Sequence, residues 1–451
     1  MNKSSKAVLA CLMTPLGFDS QLLLANFIDD ATAGGKLRTV YYDIEKGDRV
    51  YPDTGIKKKS TYVGAWTGSV MLDAKSGYYG DIIGVDASLY GVTKLDMNEK
   101  NRDSKQLLNA DNEGFSKLGQ AYIKIKFGDN NLNANFNAGR QMIYNALISS
   151  SGSRSVPSTW QGYNLNSHFY GVHLGLVYVD QISLRDQAGF HRLENFDGKR
   201  IDYAAGGQID TSLKNLNLLY RNGYSKDFLQ AHNIKIGYNF DLQEGNTLTI
   251  DTRYYIAKKE GDLWTGYANW DASPAPGQPY KSTDAAFDDK AENYSLNAKL
   301  TLNQWTLVAS VSHTKAESQG NLGSYYYDFG KNTHGICDIQ TSAFGEDFMY
   351  DGETAWKTGG LYDFSSRGAK GLSVGYFFHY GTGMKARNGK TVSENEHDLL
   401  LSYLFPQKPL EGLSLKLIAG FYNNDKALRN TISYGKRIDL RAWLDYKFVL
   451  F

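Results

Sequence analysis

Between residues 231 and 256 the chain spells two segments whose character changes at every second position, joined by Gln243-Glu244-Gly245-Asn246. Ile234, Ile236, Tyr238, Phe240 and Leu242 form a wholly apolar series, interleaved with Asn233, Lys235, Gly237, Asn239 and Asp241. Leu248, Ile250, Tyr254 and Ile256 repeat the pattern against Thr249, Asp251, Arg253 and Tyr255. Successive side chains of a strand point to opposite faces, so a two-residue period describes a sheet with one apolar and one polar side. The alternation recurs over 66–73, 85–90, 120–127, 132–137, 172–179, 293–302, 305–312, 372–380, 397–405, 413–422 and 438–450. Repeated along nearly the whole chain, it is the signature of an all-β transmembrane antiparallel barrel, greasy outside and polar within. About eighteen strands are counted, with sixteen inside the reading error, and nine hairpins of about 47 residues accommodate them.

Composition removes several alternatives. The 451 residues carry 49 Lys+Arg against 48 Asp+Glu, a net charge of +1, which leaves no electrostatic footprint for nucleic acid. No run of eighteen apolar residues exists, so a helical membrane span is excluded. Gly 46, Tyr 32 and only Pro 8 suit long uninterrupted strands with aromatic girdles. Lys3 and Lys6 before an apolar stretch, with Ala25 at its end, read as a secretory signal over 1–25 and a mature barrel domain over 26–451, although Asp19 interrupts the apolar region. Cys337 is then the one cysteine left, expected to be a loop thiol, and no Cys/His cluster has zinc spacing.

Connections sort into short turns (75–77, 128–131, 243–246, 407–412) and long polar, aromatic loops (96–114, 141–159, 260–290, 317–352, 383–394). Short turns on the periplasmic side and long loops outside are the asymmetry of outer-membrane barrels, and a soluble sandwich has no reason to sort its loops this way. Trp66, Trp305, Trp356, Tyr380 and Tyr403 fall near strand ends on the apolar face, as headgroup-level rings do. The last strand, apolar at Ile438, Leu440, Ala442, Leu444, Tyr446, Phe448 and Leu450, ends on Phe451, a residue type that resembles the terminal assembly signal of bacterial outer-membrane proteins.

The polar parity supplies cations at Lys124, Lys126, Arg221, Lys235, Arg253, Lys357, Lys416, Arg437 and Arg441, and acids at Asp73, Asp86, Asp251, Asp363, Asp398, Asp439 and Asp445. So many charges on one face imply a water-filled lumen with charge-based selectivity. The connection 141–159 differs from the others: Met142, Ile143, Leu147 and Ile148 precede a Ser/Gly hinge and Pro157. Such a segment is expected to fold inward as a constriction, burying its apolar residues against the wall and offering polar tips to the channel.

Arg154, Pro157, Thr159, Trp160 and Gly162, spaced R-x-x-P-x-T-W-x-G, resemble the constriction-loop region of the OprD family of outer-membrane porins. The segments 26–30 (NFIDD), 114–119 (GFSKLG) and 410–416 (LEGLSLK) resemble other parts of that family, so the resemblance extends over the mature chain. It implies an eighteen-stranded channel narrowed by its third extracellular loop, monomeric or loosely trimeric. It also implies uptake of amino acids, carboxylates or chitin oligosaccharides, and a wall ladder of basic residues. Arg140, Ser153, Arg154, Thr159, Arg221, Asp251, Arg253, Lys357, Lys416, Arg437 and Arg441 are the candidate constriction and selectivity residues. Of the ladder arginines only Arg154 rests on the motif; Arg221 and Arg253 rest on parity, and Arg140 shares the outward parity of Phe136. Expected partners are small hydrophilic solutes, outer-membrane lipid and lipopolysaccharide, and the assembly machinery. No cofactor is expected.

Two other functions were weighed. No G-x-S-x-G or H-E-x-x-H appears, so catalysis has no motif to stand on. An adhesin would use loop aromatics such as Tyr325-Tyr326-Tyr327, Trp264 and Trp270. The acids Asp284, Asp288, Asp289 and Glu292 lack an EF-hand spacing, and a solvated acidic loop is expected instead of a metal site.

Overall fold

A computed structural model describes the chain except residues 1–26, 48, 51–56, 59–60, 99, 102, 130, 265–284, 320–321, 387 and 433–434. The signal over 1–25, together with Trp270 and Asp284, lies outside the described residues. Eighteen long strands form the wall: β1 Thr32–Lys46, β2 Trp66–Lys75, β3 Ile83–Asp96, β4 Phe115–Gly128, β5 Leu132–Gln141 and β6 Thr159–Phe169. They continue as β7 Val172–Ser183, β8 Ala204–Leu213, β9 Leu216–Ser225, β10 Leu229–Asp241, β11 Thr247–Lys259 and β12 Lys290–Leu302. The last six are β13 Trp305–Lys315, β14 Thr354–Asp363, β15 Leu372–Lys385, β16 Thr391–Leu404, β17 Leu413–Asn424 and β18 Arg437–Val449. Each pairs antiparallel with its sequence neighbours. β18 closes on β1 from Gly34↔Val449 to Lys46↔Arg437, so the wall has no free edge.

Burial is inverted relative to a soluble protein. Ile234, Ile236, Tyr238 and Phe240 are exposed while Asn233, Asp251, Arg253 and Asn297 are buried, as the two-residue period requires of a wall with lipid outside. Trp66, Trp305, Trp356 and Tyr380 are exposed on the outer face. Around them run ring contacts at two heights: Tyr163–Tyr178–Tyr203–Tyr224 and Tyr254–Tyr294 above, Trp305–Tyr362 and Tyr403–Phe405 below.

Turns on the periplasmic side are at most eight residues long (364–371 and 405–412). The opposite side carries connections of up to 38 residues (316–353), but two are as tight as turns, 226–228 and 386–390. The long loop expected over 383–394 is therefore absent. Strands β15 and β16 continue pairing through it, out to Lys385↔Thr391.

The principal apolar core is not in the wall but between the wall and loops folded into the lumen. Ile143, Ala146, Leu147 and Ile148 of the β5–β6 connection (L3, 142–158) are at most 5% exposed. They cluster with Trp160, Phe228, Phe287 and Phe329. Each such side chain contributes about 1.5–3 kcal/mol on burial, enough to hold a loop inside against its entropy. Met142 departs from the expectation: it still carries the outward strand parity and remains exposed. Gly223 on β9 makes room for Phe329, since a Cβ there would sit 2.2 Å from the ring. The tyrosine run and Trp264 also belong to this plug: Tyr325, Tyr326 and Trp264 are buried, which removes them from a cell-surface adhesive face.

Candidate channel constriction

L3 begins as a small hairpin, Tyr144–Asn145 against Ile148–Ser149. The 316–353 connection (L7) adds to its edge: Ile148 bridges Gly335, Ser149 N donates to His334 O at 3.2 Å, and Ile336 N donates to Leu147 O at 3.0 Å. L3 then crosses the lumen to β1, β2 and β18. There the Tyr42 hydroxyl and Trp443 Nε1 donate to Ser153 O at 2.6 and 3.1 Å. Arg38 Nη1 donates to Gly152 O and Arg154 O at 2.7 and 2.9 Å. Ser155 Oγ meets Thr67 Oγ1 at 2.7 Å and donates to Leu107 O at 2.9 Å. Trp160 is fully buried and its Nε1 donates to Ser149 O at 3.1 Å. Gly162 closes the motif because a Cβ would lie 2.0 Å from Tyr178 O, where β6 and β7 slip register.

L7 also enters the lumen, and its tip is a strut pinned to one charged stretch of wall formed by β16, β17 and β18. Phe344 N donates to Asp398 Oδ2 at 3.2 Å and Gly345 N to Glu396 Oε1 at 2.7 Å, both acids being on β16. From β18, two strands further along the same wall, Arg441 Nη2 donates to Phe344 O at 2.8 Å and Arg437 Nη1 to Gly345 O at 2.6 Å. The two arginines share Asp439. One dipeptide thus aims its N–H groups at carboxylates and its carbonyls at guanidiniums, so acids, peptide dipoles and arginines alternate along one stretch of wall and pin the loop tip to it.

Two cavities meet at this strut. The upper, about 830 Å³, opens among L2 (97–114), L3, L4 (184–203) and L7; the lower, about 370 Å³, lies against β1, β17 and β18. Gly152, Ser153, Phe344 and Arg441 line both, so they stand at the narrow passage between them. The upper cavity is lined by six cationic side chains and four carboxylates, the lower by Arg38, Lys416 and Arg441 against Asp445 alone. A solute passing the gap therefore meets a cationic excess on both sides.

Ser153, Arg154, Arg437 and Arg441 line the upper cavity, and Ser153, Lys416 and Arg441 the lower one. Arg154 lies over the Tyr42 ring (4.7 Å) and donates to Tyr42 Oη (2.9 Å), Ser153 Oγ (3.0 Å) and Lys105 O (2.7 Å). Lys416 sits 5.4 Å over the Trp443 ring. Arg221, Arg253 and Asp251 serve elsewhere. Arg253 pairs with Asp251 at 2.6 Å, and Arg221 and Arg253 reach Asp338 of L7 at 3.3 and 3.2 Å, which pins that loop to the wall. Lys357 rests over Phe377, apart from both cavities. Two more of the candidates lie away from both cavities. Arg140 lies on the outer face, because β5 runs through to Gln141; it stacks over Phe190 at 4.5 Å and reaches Gln161 Oε1 at 3.5 Å. Thr159 is fully buried where β6 begins and lines neither cavity.

Several lining residues escaped the sequence reading. Arg38, bidentate to Asp445 at 2.7 Å, stands in β1, where glycines and mixed polar residues blur the alternation. Arg185 of L4 ties Ser151 and Ser153 (2.8 and 3.0 Å) to Gln106 of L2. Phe344, Glu346 and Asp347 sit in L7, which carried no inward signal comparable to the apolar run of L3. Among the described residues no group of three or more His, Cys, Asp or Glu is placed to hold a metal ion. Of the acids of the 284–292 stretch, the described ones are dispersed: Asp289 pairs with Lys259 at 2.6 Å, and Glu292 points outward beside Lys290.

Burial sets the protonation of the loop groups around the upper cavity. It pushes Asp328 up to about 7, although its carboxylate accepts Gly335 N at 2.7 Å. It lowers Arg185 to about 9, with Arg154 nearby adding to the effect. His334 falls to about 3 for the same reasons and stays neutral at physiological pH. Asp328 is thus neutral below pH 7 and gains a negative charge above it. Anion preference, read from reversal potentials in a salt gradient, is expected to fall between pH 6 and 8. Asp328→Asn should flatten that profile; a slope unchanged by the substitution would assign the titration elsewhere.

A closed eighteen-strand barrel, apolar outside and barred by two infolded loops that leave a charged gap, is a constricted transmembrane channel. The model of the OprD family of outer membrane porins matches residues 25–448, and the chain belongs to that family. It is a substrate-selective channel of the bacterial outer membrane. It is 24% identical to chitoporin of Escherichia coli (strain K12) over 437 residues, covering 88% of this chain and 86% of that one. Its fold is similar to that of Acinetobacter baumannii OccAB1 (TM-score 0.77, 20% identity, 94% of this chain and 98% of that one). It also resembles Pseudomonas aeruginosa OpdK solved with vanillate (TM-score 0.69, 16% identity, 93% and 99%).

Proposed function

We propose that the channel favours small solutes bearing a carboxylate or similar anionic group, and that Arg441, Arg38 and Lys416 hand that group through the gap. The observation that carries this reading is the cationic excess on both sides of the passage, with Arg441 lining both cavities. Weak successive contacts suit conduction, because a single tight site would block it. OpdK was solved with vanillate, itself a carboxylate, which agrees with this choice. The relative named chitoporin suggests a neutral sugar instead; Trp443 and several tyrosines do line the cavities, but of the four residues common to both only Phe344 carries a ring, beside Arg441.

In the same reading residues 1–25 serve as the export signal, Thr159 and Arg140 take no part in selectivity, and the protein is a conduit with no catalytic role. Its outer face contacts outer-leaflet lipid and lipopolysaccharide, and the final strand is what the assembly machinery engages.

Single-channel recording tests the solute class. Benzoate-type acids are expected to interrupt the current in a dose-dependent manner, while basic amino acids and chitin oligosaccharides leave it nearly undisturbed. Arg154→Ala should weaken anion preference without abolishing it, since Arg154 lines only the upper cavity. Block by the sugars alone would replace the anionic reading.

A further inference from the structure

The extracellular ends of β11, β12 and β13 carry three lysines on the lipid-facing parity. Lys258, Lys290 and Lys315 share their faces with Ile250, Leu296 and Leu307, which are exposed. Lys258 and Lys290 are direct cross-strand partners, and Lys315 lies opposite Glu292 on the next pair. Like charges directly opposite one another, with Cβ atoms about 5 Å apart, destabilise a sheet unless an anion lies between them. Glu292, the carboxylate within the group, is shared between Lys290 at 3.4 Å and the Tyr254 hydroxyl at 2.7 Å. Lys258 has no carboxylate partner among the described residues, and Lys315 sits 5.9 Å over the Tyr294 ring. The matching face at the extracellular end of β1 is acidic, with Asp43 and Glu45 in line with exposed Tyr41, so the basic patch is local.

Height selects the ligand. On β12 the upper ring, Tyr294, stands eight residues from Leu302, which pairs with Trp305 of the lower girdle. At ~3.4 Å per residue and a ~40° tilt this is about 20 Å, close to the apolar band of such barrels. Lys290 is four residues higher, about 10 Å further on the same geometry, at the level of lipid headgroups.

We propose that Lys258, Lys290 and Lys315 form a binding site for the phosphates of a lipid A-type phosphoglycolipid of the outer leaflet. Its acyl chains would lie on the apolar wall below, against Ile250 and Leu296. The inference rests on the reading that this face contacts outer-leaflet lipid, and is independent of solute choice in the lumen.

The test uses the full-length protein, folded in detergent and verified by conductance in a planar bilayer. Bis-phosphorylated lipid A, lipid A stripped of its phosphates and phosphatidylglycerol are titrated, and bound lipid is read by native mass spectrometry. The Lys258→Ala/Lys290→Ala/Lys315→Ala variant is expected to bind bis-phosphorylated lipid A about tenfold more weakly, at unchanged conductance. The stripped lipid should bind both forms equally and poorly. A triple Lys→Gln variant repeats the comparison if the alanine form misfolds. Undiminished binding by the variant, or equal binding of stripped lipid, overturns the site. An equal loss for phosphatidylglycerol also overturns it, in favour of a nonspecific anionic surface. Loss of conductance by the wild-type protein would sink the channel reading instead.

Discussion

Replacing Arg437 and Arg441 with alanine, with Asp439→Asn so that no buried carboxylate loses its partners, should open the passage. The two guanidiniums hold the carbonyls of Phe344 and Gly345 at 2.8 and 2.6 Å, and no other side chain reaches those two carbonyls among the described residues. Without them the strut keeps its contacts to Glu396 and Asp398 but loses its ties to β18, so Phe344 shifts out of the gap towards β16. Conductance should rise about two- to threefold, since the passage between the cavities sets the resistance. The field at the gap is then dominated by carboxylates. Loss of about 1.4 kcal/mol of anion stabilisation, well inside what unit charges contribute at several ångströms, lowers the anion-to-cation permeability ratio about tenfold. The Asn substitution matters because Asp439 is 1% exposed, and a buried charge stripped of its partners costs about 3–5 kcal/mol. A variant with wild-type conductance and reversal potential would show that the strut does not set the constriction.

Trp160→Ala should produce the largest loss of stability. Trp160 is fully buried within the cluster formed by L3, L7 and the wall, and its indole N–H is the direct tie to Ser149 O. Truncating a buried tryptophan costs about 3–5 kcal/mol through lost burial and an unfilled cavity. Because the ring packs the base of L3, the barrel should survive while the loop loosens. Denaturant unfolding in detergent should fall by that amount, and single-channel traces should become noisy. Trp443→Phe offers the contrast: it keeps an aromatic ring beside Tyr42 and Lys416 and chiefly removes a donor to Ser153 O, which Tyr42 also serves, so it should cost about 1 kcal/mol. Equal effects of the two substitutions would mean that Trp160 is not the anchor.

The strand pattern was legible because membrane and water sort side chains by alternate position, and that sorting is written locally. Parity alone assigned Arg437, Arg441 and Lys416 to the lumen, and the apolar run 143–148 with the R-x-x-P-x-T-W-x-G spacing located L3. The same local logic failed at boundaries. Arg140 belonged inside only if its strand ended early, and pairing with β6 carries the strand to Gln141. The 383–394 stretch, polar and rich in glycine, looked like a loop but extends a hairpin, because cross-strand hydrogen bonding outweighs weak strand propensity.

The two-residue period by itself determined a closed wall with a wet interior, since no other arrangement satisfies its backbone and both of its faces in a membrane. What closes that interior was decided by contacts between residues far apart in the chain. Phe344 and Gly345 are held at the constriction only because Glu396 and Asp398 of β16 and Arg437 and Arg441 of β18 meet the tip of L7 on one stretch of wall. Arg253 becomes an anchor because Asp338 of a distant loop arrives beside it. A charge's role depends on which charges closure and loop folding bring beside it, and that is a property of the tertiary structure, not of sequence neighbours.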